Sequence, residues 1–167
     1  MTDLWVADSG VRQLHARFVD AVWRQDRDAL ADCMDDDVQW KIAGMQLRGR
    51  AEASGTLAKL LAACKRIRLV VGEPVLDVGD GVASGRVPVT EFTQMNDGSA
   101  VLTLGVYFDR YVQAGERWRF KTRHFALHYR GPVDLSGEFI METPDYGAPP
   151  GLPGPDEPTI TRRKPID

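Results

Sequence analysis

The stretch VRQLHARFVDAVW, residues 11 to 23, sets an imidazole where helical spacing asks for hydrocarbon. Val11, Leu14, Phe18, Val19 and Val22 recur every three or four residues, the mark of one buried helix face, and His15 falls in the middle of it. A histidine so placed is either a neutral core residue, satisfied by a backbone carbonyl or a water, or a pocket acid/base. In the second case burial lowers its pKa, so that it stands neutral and ready to accept a proton. Asp109 and Arg123 are the groups that would complete a catalytic set with His15. On the two strands of the last hairpin, and both pointing inward, they would form an ion pair that orients a substrate or tunes His15. Arg123 would then stabilise negative charge developing on a carbonyl or leaving oxygen. A two-residue loop at Ala114-Gly115 sets Asp109 with Trp118, Phe120 and His124, and turns Arg123 the other way with Arg119 and Lys121. A bulge at Gly115 reverses that parity. Both registers remain open at this level.

Trp23, Trp40 and Tyr107 are candidate aromatic walls for a flat or polycyclic ligand, or plain core. Cys33 and Cys64 each sit inside a helical apolar pattern with no CxxC partner and read as small buried hydrophobes. The three histidines form no HExxH motif or Cys/His cluster, so no metal site is expected. No Gly-rich phosphate loop or Ser-His-Asp ordering is visible, and no cofactor is expected. Arg117, Arg119, Lys121 and Arg130 make a basic stripe that reads as a solvated outer sheet face.

These side chains must be carried by an α+β order. The first helix is expected from Asp8 or Ser9 to Arg24, and a short second one, DRDALADCM, from a cap at Asp26 or Asp28. DDDVQWKI alternates with period two, a strand; LRGR reads as a turn, and Ala51 to Cys64 as a third helix. Four long strand signals follow, separated by GDG, NDG and QAGE. Pro88 inside one of them suggests a bulge or an edge. Three N-terminal helices on the concave face of a strongly curved, mixed but largely antiparallel sheet would leave a conical cavity, the place to seek a small-molecule site. The domain is expected over residues 1–140, with a Pro/Gly-rich C-terminal tail over 141–167. Leu135, Phe139, Ile140 and Met141 suffice to dock the segment before that tail onto the body or a neighbour.

The chain carries a formal net charge of -3, which argues against nucleic acid or an anionic membrane as partner. No apolar run approaches the roughly 18–20 residues that span a bilayer, and MTDLWVADSG lacks the apolar core of a signal peptide. A cytoplasmic location is expected.

Helix 1, the DAL of helix 2, DDDVQW, LRGR, GVYFDRY, the following G-x-x-W-R-F and Arg123 together resemble the NTF2-like (cystatin-like) superfamily, and within it the SnoaL-like group. That group includes polyketide cyclases, scytalone dehydratase, bile-acid dehydratases and hexachlorocyclohexane dehydrochlorinase. The resemblance implies a conical fold with Arg123 facing the cavity together with Phe125, Leu127 and Tyr129, leaving His124 and His128 outward. Trp40 and Tyr107 match pocket-wall positions. The dehydrochlorinase and dehydratase branch pairs an aspartate at the end of helix 1 with a histidine before the long strands. Here the aspartate position falls on Trp23 and KRIRLVVGEP holds no histidine. Asp26 would serve only if the first helix ended differently. The expected function is a cofactor-independent acid/base enzyme, of dehydratase, isomerase or cyclase type, acting on a hydrophobic cyclic small molecule. The alternative is a non-catalytic small-molecule-binding or oligomer-forming protein. A homodimer or homotrimer through the outer sheet face is expected in either case.

Overall fold

Helix α1 runs Leu4–Arg24, about a turn longer at its start than the spacing suggests, because Asp3 and not Asp8 or Ser9 caps it. The Asp3 carboxylate accepts from the Trp5 amide at 2.8 Å, satisfying one of the amides a helix start leaves open. Asp8 lies instead on the helix surface and accepts from Arg12. The buried face is Ala7, Val11, Leu14, His15, Phe18, Ala21 and Val22. Gln25, in the left-handed region at φ 53°, ends the helix. Asp26 then caps α2 (Arg27–Asp32), accepting from the Ala29 amide at 3.0 Å. The structure is a computed structural model that describes residues 3–140, so the tail expected over 141–167 lies outside the described residues.

Strands β1 (Met34–Ile42) and β2 (Met45–Arg48) form a hairpin through Ala43 and Gly44, both at positive φ. That is the twist a tight hairpin turn needs, and it converts part of the expected LRGR turn into strand. Helix α3 follows over Arg50–Ala62. The remaining strands are β3 (Cys64–Val71), β4 (Val75–Val78), β5 (Val82–Met95), β6 (Ala100–Ala114) and β7 (Arg117–Gly131). The sheet order is β2-β1-β7-β6-β5-β3, with β4 also paired to β5. Among the described residues only β1 and β7 run parallel; every other strand pair is antiparallel.

Pro88 occupies neither a bulge nor an edge strand. It faces Val106 in unbroken register within β5, which has neighbours on both sides. Its carbonyl accepts from the Gly72 amide at 2.8 Å, so its missing N–H points to the same side, where the chain leaves β3 and has not yet entered β4. The one bond the proline removes is the reciprocal bond to the Gly72 carbonyl, and it falls where the β3 ladder ends. The break at Gly72–Pro74 is the counterpart of Pro88, and it divides what reads as one long strand signal.

The β6–β7 pair decides which side chains share a face. The loop is Gly115-Glu116, one residue later than expected, since Ala114 faces Arg117. Positive φ falls on Gly115, as at the first central position of a type II′ turn. The register then slips twice, once where Lys121 is left opposite no partner and once at His128. The slip at Lys121 brings Asp109 directly opposite Arg123. Without it, the two would face opposite sides of the sheet.

Helix α1 lies across the concave face, where Leu14 and Phe18 join Trp40, Tyr111, Trp118 and Phe120 in one buried cluster. Each such side chain contributes roughly 1.5–3 kcal/mol through burial.

Candidate active site

Asp109 and Arg123 are both fully buried and form a two-pronged pair: Arg123 Nε donates to Oδ1 at 2.9 Å and Nη2 to Oδ2 at 3.1 Å. The Tyr111 hydroxyl donates to the same Oδ2 at 3.2 Å, and His15 Nε2 lies 2.9 Å from the Tyr111 oxygen. Since the tyrosine proton goes to the carboxylate, Nε2–H of a neutral His15 is the donor to the tyrosine oxygen. Nδ1 then carries the lone pair, and it has no partner among the described residues. The guanidinium is sheathed in aromatic rings, 3.7 Å from the centre of Tyr107, 3.9 Å from Phe120, 4.6 Å from Phe18 and 5.2 Å from Trp40. Planar and weakly hydrated, arginine tolerates such a place where lysine would not.

Electrostatics follow from this burial. Desolvation holds His15 well below its ordinary value of 6.5, and the nearby positive charge of Arg123 adds to the effect. Burial and then the charge of Asp109 keep the Tyr111 proton on well above its usual range. Burial pushes the Asp109 carboxyl up, against the pull of Arg123. At neutral pH the cluster therefore presents an uncharged imidazole and a protonated phenol.

Beside the cluster lies a cavity of about 450 Å³, within the usual range for small-molecule sites. Phe18 and Val22 of α1, Leu57 and Leu61 of α3, Ile67 and Leu69 of β3, and Val89, Tyr107, Phe125 and Leu127 of the sheet form its apolar walls. Phe18 and Tyr107 thus have one side on the cavity and the other on Arg123. His15, Asp109 and Arg123 converge as a group, but none of them lines the cavity: Phe18 and Tyr107 stand between it and Arg123, and the rings packed on His15, Tyr111 and Phe120, do not line it either.

The candidate binding residues separate. Tyr107, Phe125 and Leu127 line the cavity. Trp40 is buried in the aromatic sheath of Arg123 and does not reach the wall, while Trp23 is 52% exposed with the Arg68 guanidinium over its ring. Asp26 is a helix cap paired with Arg24, not a substitute for the dyad aspartate. His124 packs toward Phe108 on the outer face and borders the cavity mouth. Tyr129, expected inward, is turned to the outer face by the slip at His128 and stacks on Phe139. The same slip turns Arg130 out of the basic stripe and onto the cavity. The rest of the stripe is paired: Arg117 and Arg119 with Asp32, Lys121 with Asp35 and Asp37.

Polar groups on the wall itself are Glu91, Thr93, Thr103 and Arg130, with Lys41 and His124 also bordering it. Glu91 was missed in the sequence, although the signal was of the same kind as for His15. In Val87-x-Val89-x-Glu91-x-Thr93 a carboxylate stands on the apolar face of a strand. Among the described residues, no three histidine, cysteine or acidic side chains gather as a metal site.

A cone of curved sheet and helices around an interior cavity is the class of protein defined by this geometry. The SnoaL-like domain profile matches residues 7–124, and the chain belongs to that family, within the NTF2-like superfamily. Solved structures with the same fold include a type 2 hexachlorocyclohexane dehydrochlorinase, with a TM-score of 0.71 and 19% identity over 88% of this chain and 96% of that one. A scytalone dehydratase-like protein from Novosphingobium aromaticivorans gives a TM-score of 0.73 and 16% identity over 87% and 97%. The beta subunit of an aromatic-ring-hydroxylating dioxygenase-type protein from the same organism gives 0.66 and 19% over 81% and 98%. No curated protein matches the sequence. At these identities the likeness establishes the fold alone. Among the described residues no helix is long and apolar enough to cross a membrane.

Proposed function

We propose that this chain is a cofactor-independent acid/base enzyme, of the dehydratase, isomerase or cyclase type, whose substrate is a hydrophobic cyclic small molecule. The observation that carries the reading is the apolar cavity of about 450 Å³ with the Arg123 guanidinium one ring layer behind its wall, linked through Asp109 and Tyr111 to a neutral, buried imidazole. His15 is the proton acceptor in this reading, with Asp109 tuning it through Tyr111 and Arg123 stabilising negative charge on a substrate oxygen. Contact with Arg123 requires the Phe18 or Tyr107 ring to swing aside, and contact with His15 requires the Phe120 or Tyr111 ring packed on it to move as well. Assembly into a homodimer or homotrimer through the outer sheet face belongs to the same proposal, supported by Phe92, 44% exposed on that face.

The sealed position of the cluster favours a second reading, a binding protein without turnover in which Asp109 and Arg123 are structural. Incubation with 2-tetralone, an enolisable cyclic ketone, in deuterium oxide separates the two. The enzymatic reading expects deuterium at the α-carbon faster than in buffer, and at least about tenfold less with His15→Gln. A protein that binds 2-tetralone without accelerating exchange is the binding protein of the second reading.

A further inference from the structure

We infer that Glu91 and Arg130 form the polar recognition end of the cavity, and that the ligand places a neutral hydroxyl there on an otherwise apolar ring system. The inference rests on the proposal that the cavity is the ligand site, and adds which group is read and by what. Glu91 Oε1 accepts from the Thr93 hydroxyl at 2.9 Å and from the Thr103 hydroxyl at 3.5 Å. Arg130 Nη1 donates to Thr103 Oγ1 at 3.0 Å and stands 3.9 Å from the same Oε1. All these contacts use one carboxylate oxygen and one guanidinium nitrogen. Among the described residues, Glu91 Oε2 accepts no hydrogen bond and Arg130 Nε and Nη2 donate none. A carboxylate acceptor and guanidinium donors thus stand open, side by side, on the wall of a largely apolar cavity.

Charge selects what can use them. An anion meets Glu91 and a cation meets Arg130, each at a repulsive cost. A hydroxyl satisfies both, because its proton goes to Oε2 and its oxygen accepts from the guanidinium. The carbon body then lies on Val89, Tyr107, Phe125 and Leu127. Lys41 and His124 border the same cavity and are the groups that would favour an anion instead.

Three probes of one shape test this on the full chain: naphthalene, 2-naphthol and 2-naphthoate, titrated calorimetrically. Binding of 2-naphthol is expected about tenfold tighter than that of naphthalene, the scale of a hydrogen bond to a charged group. Glu91→Gln should abolish most of that preference, read as the ratio of 2-naphthol to naphthalene affinity, with a circular dichroism spectrum matching the parent to show that the variant is folded. Equal affinity for naphthalene and 2-naphthol, an unaltered preference in Glu91→Gln, or tighter binding of 2-naphthoate than of 2-naphthol would each overturn the inference while leaving the cavity as a ligand site. Failure of all three probes to bind would overturn the cavity reading and this inference with it.

Discussion

Arg123 is a costly side chain to leave without its partner. It is fully buried, and Asp109 holds two of its nitrogens. Asp109→Ala strands the guanidinium charge in a low-dielectric interior, and a loss of about 3–5 kcal/mol is expected in urea unfolding. An Asp109→Leu, Arg123→Met double variant should be more stable than either single variant, because it buries no unpaired charge. His15 makes a separate, pH-dependent contribution. Its native pKa lies well below 6.5, so above 6.5 both native and unfolded chains hold it neutral. As pH falls below 6.5 the unfolded chain takes up the proton first, and stability drops by up to about 1.4 kcal/mol per pH unit for this group. Urea midpoints between pH 7 and 5 should therefore fall less in His15→Gln than in the parent. His128, also lowered by burial, acts in the same sense. At this scale the legible signal is a polar residue that breaks an apolar period, at His15 in a helix and equally at Glu91 in a strand, where it was not picked out. The convergence of Asp109 and Arg123 was not legible, since it depends on one extra residue in a strand.

That extra residue belongs to the level of elements. The alternation of β7 reads as a single strand, and nothing in KTRH marks Lys121 as the residue that opposes no partner. Its side chain reaches Asp35 and Asp37 on β1, a long-range reason for the slip that no local pattern displays. The start of α1 was misread for a simpler cause: Asp3, Asp8 and Ser9 are all competent caps, and packing of Ala7 and Val11 favours the earliest. Gly10 shows how packing overrides helix propensity. Glycine inside a helix costs up to about 1 kcal/mol relative to alanine. Here an added Cβ would stand 2.2 Å from Trp118 Cδ1, and Trp118 is only 2% exposed. Overpacking of about 1–3 kcal/mol outweighs the propensity gain, so Gly10→Ala is expected to lower the thermal midpoint.

For the whole molecule, the order of helices and alternating strands was enough to specify a curved sheet holding three helices, and the family match agrees. The segment after β7 was foreseen as a docking element, and within the described residues Phe139 packs at 4.7 Å from Tyr129 and Ile140 joins the cavity lining. Which surface it would cover is not legible, because the register slip at His128 decides which face Tyr129 presents to Phe139. A Phe139→Ala, Ile140→Ala variant should bind naphthalene several-fold more weakly, in proportion to the apolar area removed at roughly 25 cal/mol per Å², with little effect on the hydroxyl preference. The pairing of β1 with β7 has a further, temporal consequence. Met34 finds Phe120 as its neighbour only after everything between them has been made, and such distant pairings form slowly. On the ribosome, a nascent chain that has emerged only as far as β6 exposes an open sheet edge and the bare apolar flank of α1. Chaperones would meet the protein in that interval, before its last strand arrives to close the centre.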